Sequence, residues 1–172
     1  MRFLLSKPFN LVAFNLMWIG CVLGRVDWLW LVAPVVFAYA ALLLLTRTVQ
    51  PHQLLLPAAI GLSADVLMTV TGLFQFDDAA LLLPAWLVVL WVAFSTTLTR
   101  SLAVFGRNKW VAALAGTAAF PFNYGVGERL GAVSFGDTPV VTLVVLAVTW
   151  MVLLPVLFYV SERKWEKLIA LR

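Results

Sequence analysis

Residues Gly116–Gly136, GTAAFPFNYGVGERLGAVSFG, decide how the chain is read. The stretch starts as an apolar helix, meets Pro121, and then carries Asn123, Tyr124, Glu128 and Arg129 among closely spaced glycines. A segment apolar at one end and polar at the other fits the outer mouth of a membrane bundle, where a span leaves hydrocarbon for water. Pro121 removes a backbone donor and frees the Thr117 carbonyl, so a kink is expected there. Thr117, Tyr124 and Glu128 fall along one helical edge, and Gly116, Asn123 and Gly127 along the next.

Composition sets the same frame. The chain has 172 residues, of which 63% are hydrophobic and 12% charged, with a mean hydropathy of +1.01. Soluble domains average about 45–50% apolar and about 25% charged, so this is a membrane composition. The length allows one domain, residues 1–172. A single cysteine, Cys21, excludes an internal disulfide, and a single histidine, His52, argues against a metal site. No cofactor is called for.

Upstream and downstream of the opening stretch, apolar runs of about 17–23 residues suffice to cross a hydrocarbon core of about 30 Å. Six are expected: Pro8–Gly24, Trp28–Thr46, Leu54–Phe76, Ala79–Leu98, Trp110–Gly127 and Pro139–Val160. The fold class is therefore all-α, a polytopic bundle of six transmembrane helices. Alternating sides put Arg2, Lys7, Arg47, Arg100, Arg107, Lys109, Arg163, Lys164, Lys167 and Arg172 together, and leave only Arg25 and Arg129 opposite. That asymmetry predicts cytoplasmic N and C termini in a multi-pass protein of the bacterial inner membrane. It also removes nucleic acid as the reason for a net charge of +4. Arg2 and Lys7 before an apolar run resemble a signal peptide, but Trp18-Ile19-Gly20-Cys21 makes a poor lipoprotein cleavage site, so a retained first helix is expected. Residues 161–172 place Trp165, Leu168 and Ile169 on one face, the pattern of an interfacial helix against membrane lipids.

Polar residues inside spans name the candidate site. Asn15 and Trp18 share a face of the first span, and a buried amide there needs a partner on another helix, Asn123 being one candidate. Pro57, Gly61, Asp65, Thr69, Gly72 and Phe76 form a stripe on the third span, with Asp65 at the centre of the run. An acid at that depth costs about 2.5–3.5 kcal/mol on insertion scales, and with no Lys or Arg nearby a neutral, hydrogen-bonded acid is expected. Tryptophans are read as interface anchors, and Glu128 with Arg129 as a structural pair or a ligand contact. The candidate ligand-binding residues are thus Asn15, Trp18, Asp65, Asn123, Tyr124, Glu128 and Arg129, with spans one, three and five enclosing an outward-opening pocket.

Catalytic patterns fail on their own requirements. Ser63 within Gly61-Leu62-Ser63-Ala64 has no base in reach, and Asp65 lacks the second carboxylate of an aspartyl protease. No phosphate loop, CxxC or HExxH occurs. The expected function is a non-catalytic binding or transport-related subunit for a small molecule or lipid. The alternative is a scaffold for other membrane proteins, and an embedded lipid enzyme with Glu128 as acid/base ranks third.

The chain resembles a bacterial family of small inner-membrane proteins, domain-of-unknown-function family 2878. The resemblance rests on Asn10, Phe14 and Trp18 in the first span, and on Gly61, Asp65 and Gly72 in the third. Pro84-Ala85-Trp86-Leu87 with Leu90, Trp91 and Phe94 carries it in the fourth span. Pro121, Tyr124, Gly127 and Arg129-Leu130-Gly131-Ala132 carry it in the fifth. The family pattern often has Gln where this chain has Asn15. The resemblance implies no reaction; it implies a link to envelope lipid physiology.

Overall fold

The computed structural model describes residues 2–77 and 82–162. Six α-helices follow in order: α1 Lys7–Gly24, α2 Leu29–Leu45, α3 Pro51–Val70, α4 Ala85–Leu98, α5 Lys109–Arg129 and α6 Pro139–Ser161. Three of them, α1, α3 and α6, are long and apolar enough to cross a membrane; α2 and α4 are shorter apolar helices. The outside of the bundle is itself apolar, with Leu16, Leu45, Leu67, Leu114, Phe122 and Val140 all largely exposed. A surface of that kind avoids water and suits lipid.

Helix α4 is the centre. Ten of its 14 residues are buried, and α1, α2 and α3 all pack on it, while α5 packs chiefly against α6. At its hydroxyl-rich end Ser95, Thr96 and Thr97 each donate to carbonyls of their own helix at 2.6–2.8 Å. Pro84 stands before the first turn, and the helix starts at Ala85 rather than at Ala79. The residue before a proline is pushed out of the helical region, which accounts for the shorter element. Residues 79–81 of that expected span, and 163–172 of the expected interfacial helix, lie outside the described residues.

The third span also stops early, at Val70 instead of Phe76. Gly72 has φ +80°, a left-handed conformation, and the amides of Gly72 and Leu73 fold back onto the carbonyls of Thr69 and Met68. Gly131, at φ +73°, closes α5 in the same way through the carbonyls of Glu128 and Gly127. Each closure leads into a two-residue strand, β1 Phe74–Gln75 and β2 Ser134–Phe135, which pair antiparallel. Short strands at this end are absent from the periodicity and come from the two glycine turns.

Hydrogen bonds sort the connections into two ends. At one end, β1 pairs with β2, and Arg25 donates to the Gly131 carbonyl at 2.7 Å, joining the α1–α2, α3–α4 and α5–α6 connections. At the other, Gln53 donates to the Ser161 carbonyl at 2.8 Å, tying the start of α3 to the close of α6. Asn10, fully buried near the start of α1, completes that end. Its amide donates to Tyr39 and Thr96, and its oxygen accepts from the Ser101 amide and hydroxyl. Replacing Asn10 by Leu strands these groups, so Asn10→Leu should destabilise the protein by about 1–3 kcal/mol, read as a lowered melting temperature in detergent. An unchanged melting temperature would show that the network is dispensable.

Candidate functional site

The acid stripe of α3 works as an anchor for two aromatic side chains. Asp65 is 3% exposed; its Oδ2 accepts from the Trp91 indole N–H at 2.6 Å, and its Oδ1 from the Tyr124 hydroxyl at 2.7 Å. One turn earlier, Gly61 leaves the space that the Trp91 ring occupies, and a methyl group there would overlap it. Gly61 and Asp65 therefore act together: one admits the indole, the other fixes its nitrogen. The indole N–H can only donate, whereas the tyrosine hydroxyl can give or take a proton. Both oxygens of the acid are thus engaged by uncharged groups.

Trp91 and Tyr124 belong to a wall of stacked rings. Trp91 lies parallel to Trp150, 5.8 Å between centroids and 2° between planes, and Trp150 stacks on Phe120 at 3.5 Å. Tyr124 stacks on Phe74 of β1 at 5.1 Å. Gly116 makes this possible from α5, since a side chain there would meet the Trp150 carbonyl. Trp86, Trp91 and Trp150 are all buried, which corrects the reading of the tryptophans as interface anchors; Trp28, Trp30 and Trp110 are exposed. Position in the span separates them only in part, since Trp86 is the second residue of α4 and is nevertheless buried. Trp91 and Trp150 sit inside α4 and α6, whereas Trp28, Trp30 and Trp110 flank helix starts.

Those rings border a cavity of about 370 Å³. Asn15 and Trp18 of α1 form one bank, Ala119 and Asn123 of α5 the other, and Trp91 and Trp150 the wall between them. The cavity runs from Phe76 and Val133 at the strand end to Leu102 and Phe105 at the opposite end. Leu11, Asn15, Ala119 and Asn123 are exposed, so it opens sideways between α1 and α5. Two sequence expectations are corrected here. The walls come from α1, α4, α5 and α6, with α3 contributing only Asp65 from behind, and the mouth is lateral instead of outward.

Four of the seven expected residues, Asn15, Trp18, Asn123 and Tyr124, line this cavity. Asp65 stands behind Tyr124 and Trp91. Glu128 and Arg129 do not line it; they close α5, half-buried and exposed respectively, and adjacent helical positions do not face each other. No ion pair joins them among the described residues. Asn15 and Asn123 do not bond across the bundle either. Each donates to the carbonyl of its own preceding turn, Leu11 and Ala119, at 2.8 Å. Asn10 makes the interhelical bonds that Asn15 was expected to make. Trp150 was missed, and its mid-span position was the available signal.

The fold and site define a helical bundle with an uncharged, aromatic-walled lateral cavity braced by one buried acid. The family described as "Protein of unknown function (DUF2878)" matches residues 7–156, and the chain belongs to that family. No curated protein and no solved structure matches it.

Asp65→Asn keeps an acceptor for Trp91 and a donor for Tyr124, so its melting temperature should stay close to that of the wild type. Asp65→Leu leaves both aromatic groups unpartnered and should cost about 2 kcal/mol or more. Equal melting temperatures for the Asn and Leu variants would remove Asp65 as the brace.

Proposed function

We propose that this chain is a six-span protein of the bacterial inner membrane, with both termini cytoplasmic, that binds a small lipid-soluble molecule without transforming it. The lateral cavity between α1 and α5 carries the reading, because a site of about 370 Å³ opening sideways from an apolar bundle draws its ligand from the bilayer. Small-molecule sites commonly measure about 300–1,000 Å³ and are mostly apolar with a few placed polar groups. None of the residues bordering the cavity is Ser, Cys, His, Lys, Asp or Glu, which favours binding over acid–base or nucleophilic chemistry.

Topology is supported by the two ends of the bundle. Arg25 and Arg129 lie toward the strand end, while Arg2, Lys7, Arg47, Arg100, Arg107 and Lys109 lie toward the end that holds Asn10 and Gln53. An excess of Lys and Arg marks the cytoplasmic side. The brevity of α4 is compatible with spanning, because a helix wrapped by its neighbours need not itself match the bilayer.

Alkaline phosphatase fused after Asp27 or Asp137 should be active, and fused after Gln50, Arg107 or Arg172 inactive; activity at position 172 would overturn the even span count. For the binding reading, the protein purified in mild detergent should carry a stoichiometric small molecule detectable by mass spectrometry. Ala119→Trp, which fills the mouth, should lose it while keeping its melting temperature. A wild-type protein that carries a protein partner and no small molecule would overturn binding in favour of a scaffold.

A further inference from the structure

The groups left free along the cavity narrow the kind of molecule it takes. Resting on the binding reading above, we propose that the ligand is a neutral planar ring bearing carbonyl or hydroxyl oxygens on an apolar tail, the chemistry of a membrane quinone and its quinol.

Charge is the first constraint. No bordering residue carries a formal charge, so a phosphate, carboxylate or ammonium would be desolvated without a counter-charge. Aromatic content is the second. Half of the 22 bordering residues are aromatic, against 13% of the whole chain. Trp91, Trp150 and Phe120 are stacked on one another and offer the cavity chiefly their ring edges. Offset and edge contacts with such rings reward a planar conjugated group beyond simple burial, whereas a saturated chain gains burial alone.

Hydrogen bonding is the third. Asn15 and Asn123 each use one N–H on their own helix, and the second N–H and the amide oxygen have no partner among the described residues. Trp150 is 2% exposed and borders the cavity, and its indole N–H has no partner among the described residues; neither has that of Trp18. A donor bordering an apolar cavity without a protein partner calls for one there, and a ligand oxygen supplies it. The set amounts to N–H donors suited to ring carbonyls, together with amide oxygens suited to ring hydroxyls. Both the oxidised and the reduced ring are therefore served, and no electron transfer is required of the protein.

Shape is the fourth constraint. The groove continues past the asparagines to Leu102, Phe105 and Phe158, an apolar stretch where a tail can lie, with the gap between α1 and α5 open beside it.

Calorimetric titration of the detergent-purified protein with decylubiquinone, decylbenzene and 1-decanol tests this. Decylubiquinone should bind at least about tenfold more tightly than decylbenzene, which has the ring and tail without the oxygens. The double variant Asn15→Leu/Asn123→Leu should shrink that ratio toward one; both amides are exposed, so the fold should tolerate it. The comparison of the two ring probes needs no variant. Equal affinity for the two would overturn the oxygen-reading site. Decanol binding as tightly as the quinone, and abolished by Ala119→Trp, would keep the cavity as a ligand site while removing the ring. No binding of any probe by a protein that co-purifies with another small molecule would also overturn the quinone class alone. No binding by a protein that carries nothing would remove the cavity reading as well.

Discussion

A carboxylic acid buried among aromatic rings is the constraint on which the rest of this structure turns. Asp65 sends one oxygen to α4 through Trp91 and the other to α5 through Tyr124, and it does so from α3. An acid with no ionic partner is tolerated in an apolar bundle only when its oxygens are satisfied. Satisfying them fixes the planes of two large rings, and those rings in turn define where Trp150, Phe120 and Phe74 can stack. The cavity is what lies in front of this assembly. Its acid is hidden, and only the rings it holds are presented.

The two asparagines illustrate a different solution to the same problem. Asn10 is sealed between helices and uses its whole amide on protein partners. Asn15, little more than one turn further along α1, faces the groove and settles one N–H on its own backbone. Identical side chains thus serve as an interhelical joint and as a half-satisfied surface for a guest. Helical phase decides between the two roles, because the two positions lie on different faces of α1.

Much of the architecture was legible from residue pattern. Each expected apolar run corresponds to one of the six helices, and the Gly61–Asp65 stripe is the packing stripe of α3. Tyr124, placed from its position on a polar edge, does reach the interior. What the pattern could not supply was pairing between helices. Outward-facing and core-facing residues are equally apolar, so periodicity does not reveal that α4 is central or that α1 and α5 stand apart. For the same reason the groove was assigned to α1, α3 and α5. Glu128 and Arg129 drew attention through charge alone, and charge at a helix end is as well explained by the nearness of water. The strand pair was beyond reach, because it follows from two left-handed turns at Gly72 and Gly131.

The bond from Arg25 to the Gly131 carbonyl has a mechanical side. The two banks of the groove are secured to different partners, α1 to α2 and α4, and α5 to α6. Across the groove the Arg25 bond joins the α1 turn to the α5 turn, at the strand end. The opposite end is tied separately, where the Ser101 amide and hydroxyl in the α4–α5 connection donate to Asn10 of α1. The arrangement resembles a book clasped at both ends of its fore-edge. The α1 side is therefore held to the α5 side by ties at both ends of the groove, a guanidinium on a backbone oxygen at one and a serine on an amide at the other.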